Sequence, residues 1–255
     1  MNNKRMKREL EMDHLVVPNK FKVGCKVAGF QVHEFLQLFV DHYSLIDNHF
    51  DDKSAFSLAT KSFYFIREEF GLEGETMPNT MTRQDKDKGV GFVRRMVKLA
   101  TNRNYSFSQR RNKSKVLTGQ LFELFSKGVE LKDTVYLDEF NFIKLNKDIR
   151  FQCILTGASP VELLNAIMQY VDMPNHLARF HLEKFIFNPV LGFFIRVMDG
   201  YGNIRDSDYL DSEEYAEFIW SLQELPKQFY FYRNLEDRIE IYQEWLGKFL
   251  EENRF

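Results

Sequence analysis

Two cysteines and two tryptophans are spread over 255 residues. Cys25 and Cys153 stand far apart and form no CxxC pair. Neither a disulfide framework nor a structural zinc site is indicated, and a reduced, cytoplasmic chain is expected. Apolar runs are short. The longest, such as Val190–Ile195 with its internal glycine, fall well below the roughly 20 residues of a membrane-spanning helix, so no membrane association is expected. Met1–Leu15 is charged throughout, without the apolar stretch of about 7–15 residues that a secretory leader needs. Residues 1–12 are expected to be frayed or partly helical.

Recognisable chemistry is equally sparse. There is no GxSxG, no Walker loop, no GxGxxG, and no Cys–His neighbourhood for nucleophilic catalysis. His33 and Glu34 open "HEFLQ", which has no second histidine for a zinc-protease helix. No cofactor is expected, and a non-catalytic role is favoured. No stretch resembles a known family specifically enough for residues to be carried over.

What is present is a globular composition, 44% hydrophobic and 28% charged, with no repeat or low-complexity tract. Phenylalanine is used 26 times; some rings belong to the core, and others are expected at interfaces. The net charge of −2 hides a strong asymmetry. Arg83–Lys115 holds eleven Lys/Arg against two Asp, a net of +9, while Asp199–Glu224 holds eight acids and one arginine, a net of −7. Such separation predicts an electrostatic footprint or complementary partners.

The periodicity predicts a mainly α protein with one or two small β-hairpins. "FKVGCKV" (Phe21–Val27) alternates like a short strand. Phe30–Ile46 and Ser54–Phe70 read as helices, the second ended by Gly71. The Gly- and Thr-rich stretch after it supplies a linker at 76–88, dividing a helical unit at 1–75 from a larger one at 89–255. Gly89–Thr101 reads as a helix with Val90, Val93, Met96, Val97 and Ala100 inward and Arg94, Arg95 and Lys98 outward. A short helix fits Gly119–Gly128. Phe140/Phe142 and Ile149/Phe151/Cys153/Leu155 then alternate about an "NKD" turn, predicting a hairpin. Ser159, Pro160 and Glu162 form an N-terminal helix signature over a stripe of Leu163, Leu164, Ile167, Met168 and Val171. Further helices are expected over Asn175–Phe187, from Asn188–Pro189 to Val197, from Asp211 or Ser212, and from Pro226.

The basic region is the leading candidate site. With Tyr105–Gln109 and Val116–Thr118 as strands around an "RRNKSK" tip, residues 89–118 would form a winged-helix-like unit. Arg94, Arg95, Lys98, Arg103, Arg110, Arg111, Lys113 and Lys115 would neutralise phosphates, with Tyr105 and Phe107 stacking on bases or packing on the core. This predicts a non-catalytic nucleic-acid-binding protein, a recognition or accessory subunit of a DNA-handling or defence assembly. The alternative is a scaffold module docking an acidic partner, including a second copy of the chain.

Weaker signals are also present. Glu130-x-Lys132 is half of a Mg²⁺-nuclease signature, but Glu123 is the only acid in the 42 residues before it, Lys88–Val129. His42, Asp47, His49, Asp51 and Asp52 are competent ligands at a spacing that matches no metal motif. "DGYGNIRDSDYL" fails as a calcium loop, with Ile204 at the sixth position and Leu210 at the twelfth. "KQFYFYRN" sets four aromatics in a row, Phe229–Tyr232, which cannot all face one core.

Overall fold

A computed structural model describes residues 14–69, 71, 74–201, 204 and 208–252. The polar stretch 1–12, Phe70 and part of the loop before Asp208 lie outside the described residues. Eleven α-helices and one two-stranded antiparallel sheet are present among those described, so the chain is mainly α with a small hairpin. In order they are α1 (Asn19–Val27), α2 (Val32–His42), α3 (Ala55–Glu69), α4 (Arg83–Ala100), α5 (Phe107–Phe125), β1 (Thr134–Tyr136), β2 (Phe142–Lys144) and α6 (Lys147–Thr156). There follow α7 (Pro160–Gln169), α8 (Met173–His181), α9 (Pro189–Met198), α10 (Glu213–Gln228) and α11 (Leu235–Glu252). None of these helices is long and apolar enough to cross a membrane.

Two compact units are formed: Met1–Val16 with Leu36–Ile167, and Val17–Phe35 with Met168–Phe255. In unit 1, Leu45 and Ile46 of a 3₁₀ turn pack with Met96, Ala100, Leu121 and Phe151 from α4, α5 and α6. In unit 2, Phe21, Phe35 and Phe194 meet at ring separations of 5.3–6.2 Å, and Leu177, Leu225 and Tyr242 tie α8, α10 and α11 together. Both cysteines are free and buried, and burial pushes the Cys153 thiol up to about 12.

The strongest local signals are realised. Ser159 and Glu162 exchange capping hydrogen bonds, and all five residues of the α7 stripe are buried. Asn188 and Ser212 cap α9 and α10. Four expectations are corrected. Phe21–Val27 is helix α1, because its buried set of Phe21, Gly24, Cys25 and Val27 follows helical spacing; seven residues can satisfy both periods. The stretch 147–156 is helix α6, not a strand. It is buried on most sides, which erases the amphipathic period, and Asn146 caps it rather than turning a hairpin. The hairpin lies earlier, with Val135 opposite Ile143 facing inward and Phe140 and Phe142 exposed. Pro226 lies in the last turn of α10, and α11 starts at Leu235 instead.

The fourth correction removes the wing. Residues 105–118 hold no strand: Phe107–Phe125 is one continuous helix. Its start was written in the sequence, because Ser106 and Gln109 form a capping box. The 76–88 linker also changes character. Helix α4 already begins at Arg83, on a Thr82–Asp85 capping box. The residues before it are strapped to the chain, Met77 N–H donating to Ile154 O (2.8 Å) and Thr80 N–H to Lys127 O (2.8 Å).

Two glycines with opposite environments make a paired test. Gly91 lies inside α4, where an added Cβ would meet nothing within 4 Å. Gly157 ends α6 at φ 71°, where a Cβ would lie 2.5 Å from Glu75 O. Gly91→Ala should raise unfolding free energy by up to about 1 kcal/mol, and Gly157→Ala should lower it by more than about 1 kcal/mol. Urea unfolding followed by circular dichroism measures both.

Candidate nucleic-acid interface

Helices α4 and α5 pack antiparallel as an αα-hairpin, joined at a tight corner by residues 101–106. Arg110, in the first turn of α5, reaches back to the end of α4. Its Nη1 donates to Ala100 O (2.9 Å) and its Nε to Asn102 O (3.0 Å), satisfying carbonyls that a helix end leaves open. At the other end of α4, Lys127 pairs with Asp85 (2.8 Å) and, with the Thr82 bonds, holds that carboxyl down at about 2.

The inward face of α4 is turned from the expected one. Met96 and Ala100 are buried, with Phe92 and Leu99 packed beside them, but Val90, Val93 and Val97 are exposed. Gly89 lies on the buried side. It packs beside the Phe125 ring, which an added Cβ would meet at 3.5 Å, an ordinary contact distance.

The structure sorts nine of the ten predicted contact residues into three groups and sets Lys115 apart. Arg94, Arg95 and Lys98 are exposed along one ridge of α4, and Arg103 is exposed in the corner just beyond. None of these four is paired with a carboxylate among the described residues. Arg95 lies over the Phe92 ring at 4.6 Å. The second group flanks the corner: Lys113 stands over Tyr105 (4.7 Å), while Phe107 is 40% exposed and packs on Phe50 (5.0 Å). Lys115 opens elsewhere, into a polar cavity of about 510 Å³ that also holds Asp148, Asn146 and Lys147. Arg110 and Arg111 form the third group and are committed inside the fold.

Arg111 is only 7% exposed. Its Nε and Nη2 grip Asp47 at 2.9 and 2.6 Å, and Nη2 also donates to Asp52 (2.7 Å) and Ser54 (3.2 Å). Phe56 covers the guanidinium at 4.2 Å. Burial pushes the Asp47 carboxyl above the usual range, against the pull of Arg111. At Asp52 burial acts the same way, but bonds from Ser54 and Arg111 outweigh it and hold that carboxyl low. The "DNHFDD" acids are therefore counter-charges: Asp47 and Asp52 serve Arg111, and Asp51 serves Lys61. Next to them Asp148 is buried, accepting from Leu45 N–H (2.8 Å) and Thr118 Oγ1–H (3.2 Å). Glu130 and Lys132 are exposed between α5 and β1.

Arg111→Met should cost about 3–5 kcal/mol, because it strands Asp47 as an uncompensated buried charge. The pH dependence has a definite sign. A buried carboxylate with a raised pKa binds its proton in the folded state before the unfolded chain does, so acid favours folding through that group. The deficit of the variant should therefore shrink as pH falls from 7 towards 5. Urea midpoints of both proteins across that range measure it.

No protein family, curated protein or solved structure matches the chain, and the functional reading rests on these residues.

Proposed function

We propose that the protein binds nucleic acid through the phosphate backbone, as a non-catalytic recognition or accessory component. The observation that carries this reading is the α4 ridge. Arg94, Arg95 and Lys98 stand exposed within five residues, Arg103 is exposed just after the helix, and no carboxylate among the described residues neutralises them. A helix that presents cations one turn apart places them about 6 Å apart along its axis, a spacing suited to successive phosphates. Every phosphate so neutralised releases counterions, which favours association and makes it salt-dependent. Tyr105 and Phe107 at the corner supply rings beside the cations, suited to an unpaired base.

The accessory role is supported by a different surface. Unit 2 leaves Phe185, Ile186, Phe187, Trp220 and Phe231 between 58% and 91% exposed. Large apolar side chains exposed in such number favour a protein partner. An acidic protein docking on the α4 ridge is the second reading of that ridge itself.

A salt titration of binding to duplex and single-stranded DNA and RNA separates the readings. Wild type should bind with a steep negative slope of log K against log salt. Arg94→Gln/Arg95→Gln/Lys98→Gln should flatten that slope by about 2–3, with unchanged thermal stability. Absence of nucleic-acid binding at low salt would overturn the proposal and leave the ridge to an acidic protein.

A further inference from the structure

A cavity of about 690 Å³ opens in unit 1 beneath the α4 ridge. Its floor is Met96, Leu121, Phe125 and Phe151, and one wall is Val90 and Val93, which are 51% and 45% exposed. This volume lies within the range of about 300–1,000 Å³ typical of small-molecule sites. The charges around it are all of one kind: Lys86 and Arg94 line it, and no Asp or Glu does. Its other polar side chains are His49, Thr76 and Asn79. Thr76 Oγ1 donates to Leu155 O (3.3 Å), and Asn79 Nδ2 donates to Met77 O (3.2 Å).

This lining discriminates between ligand classes. A nucleobase needs several donors and acceptors along its edge, and beside the two cations the walls offer His49 among mainly apolar side chains. An entirely apolar molecule would leave Lys86 and Arg94 without a role. A molecule with a long apolar body and one anionic end satisfies both parts, its chain against the valines and phenylalanines and its charge at the two cations.

We propose that this cavity binds a long-chain carboxylate, with Lys86 and Arg94 holding the carboxylate and the α4–α5–α6 floor holding the chain. The site shares Arg94 with the proposed nucleic-acid surface, and it is tested without nucleic acid so that the two readings stand or fall separately.

Calorimetric titration of the full chain with dodecanoate and with dodecanol, at micromolar concentrations and without nucleic acid, tests it. Dodecanoate should bind one per chain, at least tenfold more tightly than dodecanol. Lys86→Gln/Arg94→Gln should weaken dodecanoate at least tenfold and leave dodecanol nearly unchanged. Val93→Trp, at an exposed helix position that folding tolerates, should weaken both by filling the cavity. The proposal is overturned if wild type shows no saturable dodecanoate binding. It also fails if the charge variant affects both ligands equally, or if Val93→Trp changes neither.

Discussion

One buried guanidinium organises unit 1. Arg111 projects from α5 into a cage made by the 3₁₀ turn at Leu45–His49, the chain before α3, and the rings of Phe50 and Phe56. Its two carboxylate partners come from segments about sixty residues earlier, so this contact fixes the register of α5 against the amino-terminal part of the unit. A charge removed from water is tolerated only when its partners are in place. The alternatives to this packing are thereby penalised as much as the packing itself is favoured. Once α5 is set, Arg110 sets the end of α4, and the exposed ridge inherits its position from a neighbour it does not resemble.

Much of the helical plan was legible. Caps announced α7, α9 and α10 because a side chain that satisfies a helix end has few other local uses. The failures share a physical origin. Helix α6 is enclosed on most sides, so its polar residues are buried partners rather than markers of a wet face: Asp148 accepts from Leu45 and Thr118, and Gln152 is 4% exposed. Periodicity reads solvent exposure, and it goes silent where there is little solvent. Helix α5 was obscured for a similar reason. Charge usually marks surface, whereas Arg111 is charged and interior. The Ser106–Gln109 box was the better guide, and it is local chemistry rather than pattern.

The candidate site was legible only in part. Sequence alone gathers all ten residues into one basic region, and three dimensions divide them by task. Arg110 illustrates why. Nothing in its identity separates an arginine that caps a helix from one that meets a phosphate; its position in the first turn after a corner does. Arg238 repeats the device in unit 2, donating from the first turn of α11 to Phe229 O (2.6 Å) and Tyr232 O (2.9 Å). Each unit thus spends an arginine on turning one helix into the next. The cavity under the ridge was not legible at all, since one wall consists of valines whose helical spacing points to the core.

The two cysteines have a chemical consequence of their own. Cys25 is 2% exposed and Cys153 is fully buried, and burial drives both thiols well above their ordinary range. The thiolate is the form that alkylates and exchanges, and neither residue supplies it at neutral pH. The folded chain is therefore expected to react slowly with thiol reagents. A cysteine placed at an exposed position such as Lys98 would be its single reactive handle, reporting on the ridge without any native residue having to be removed.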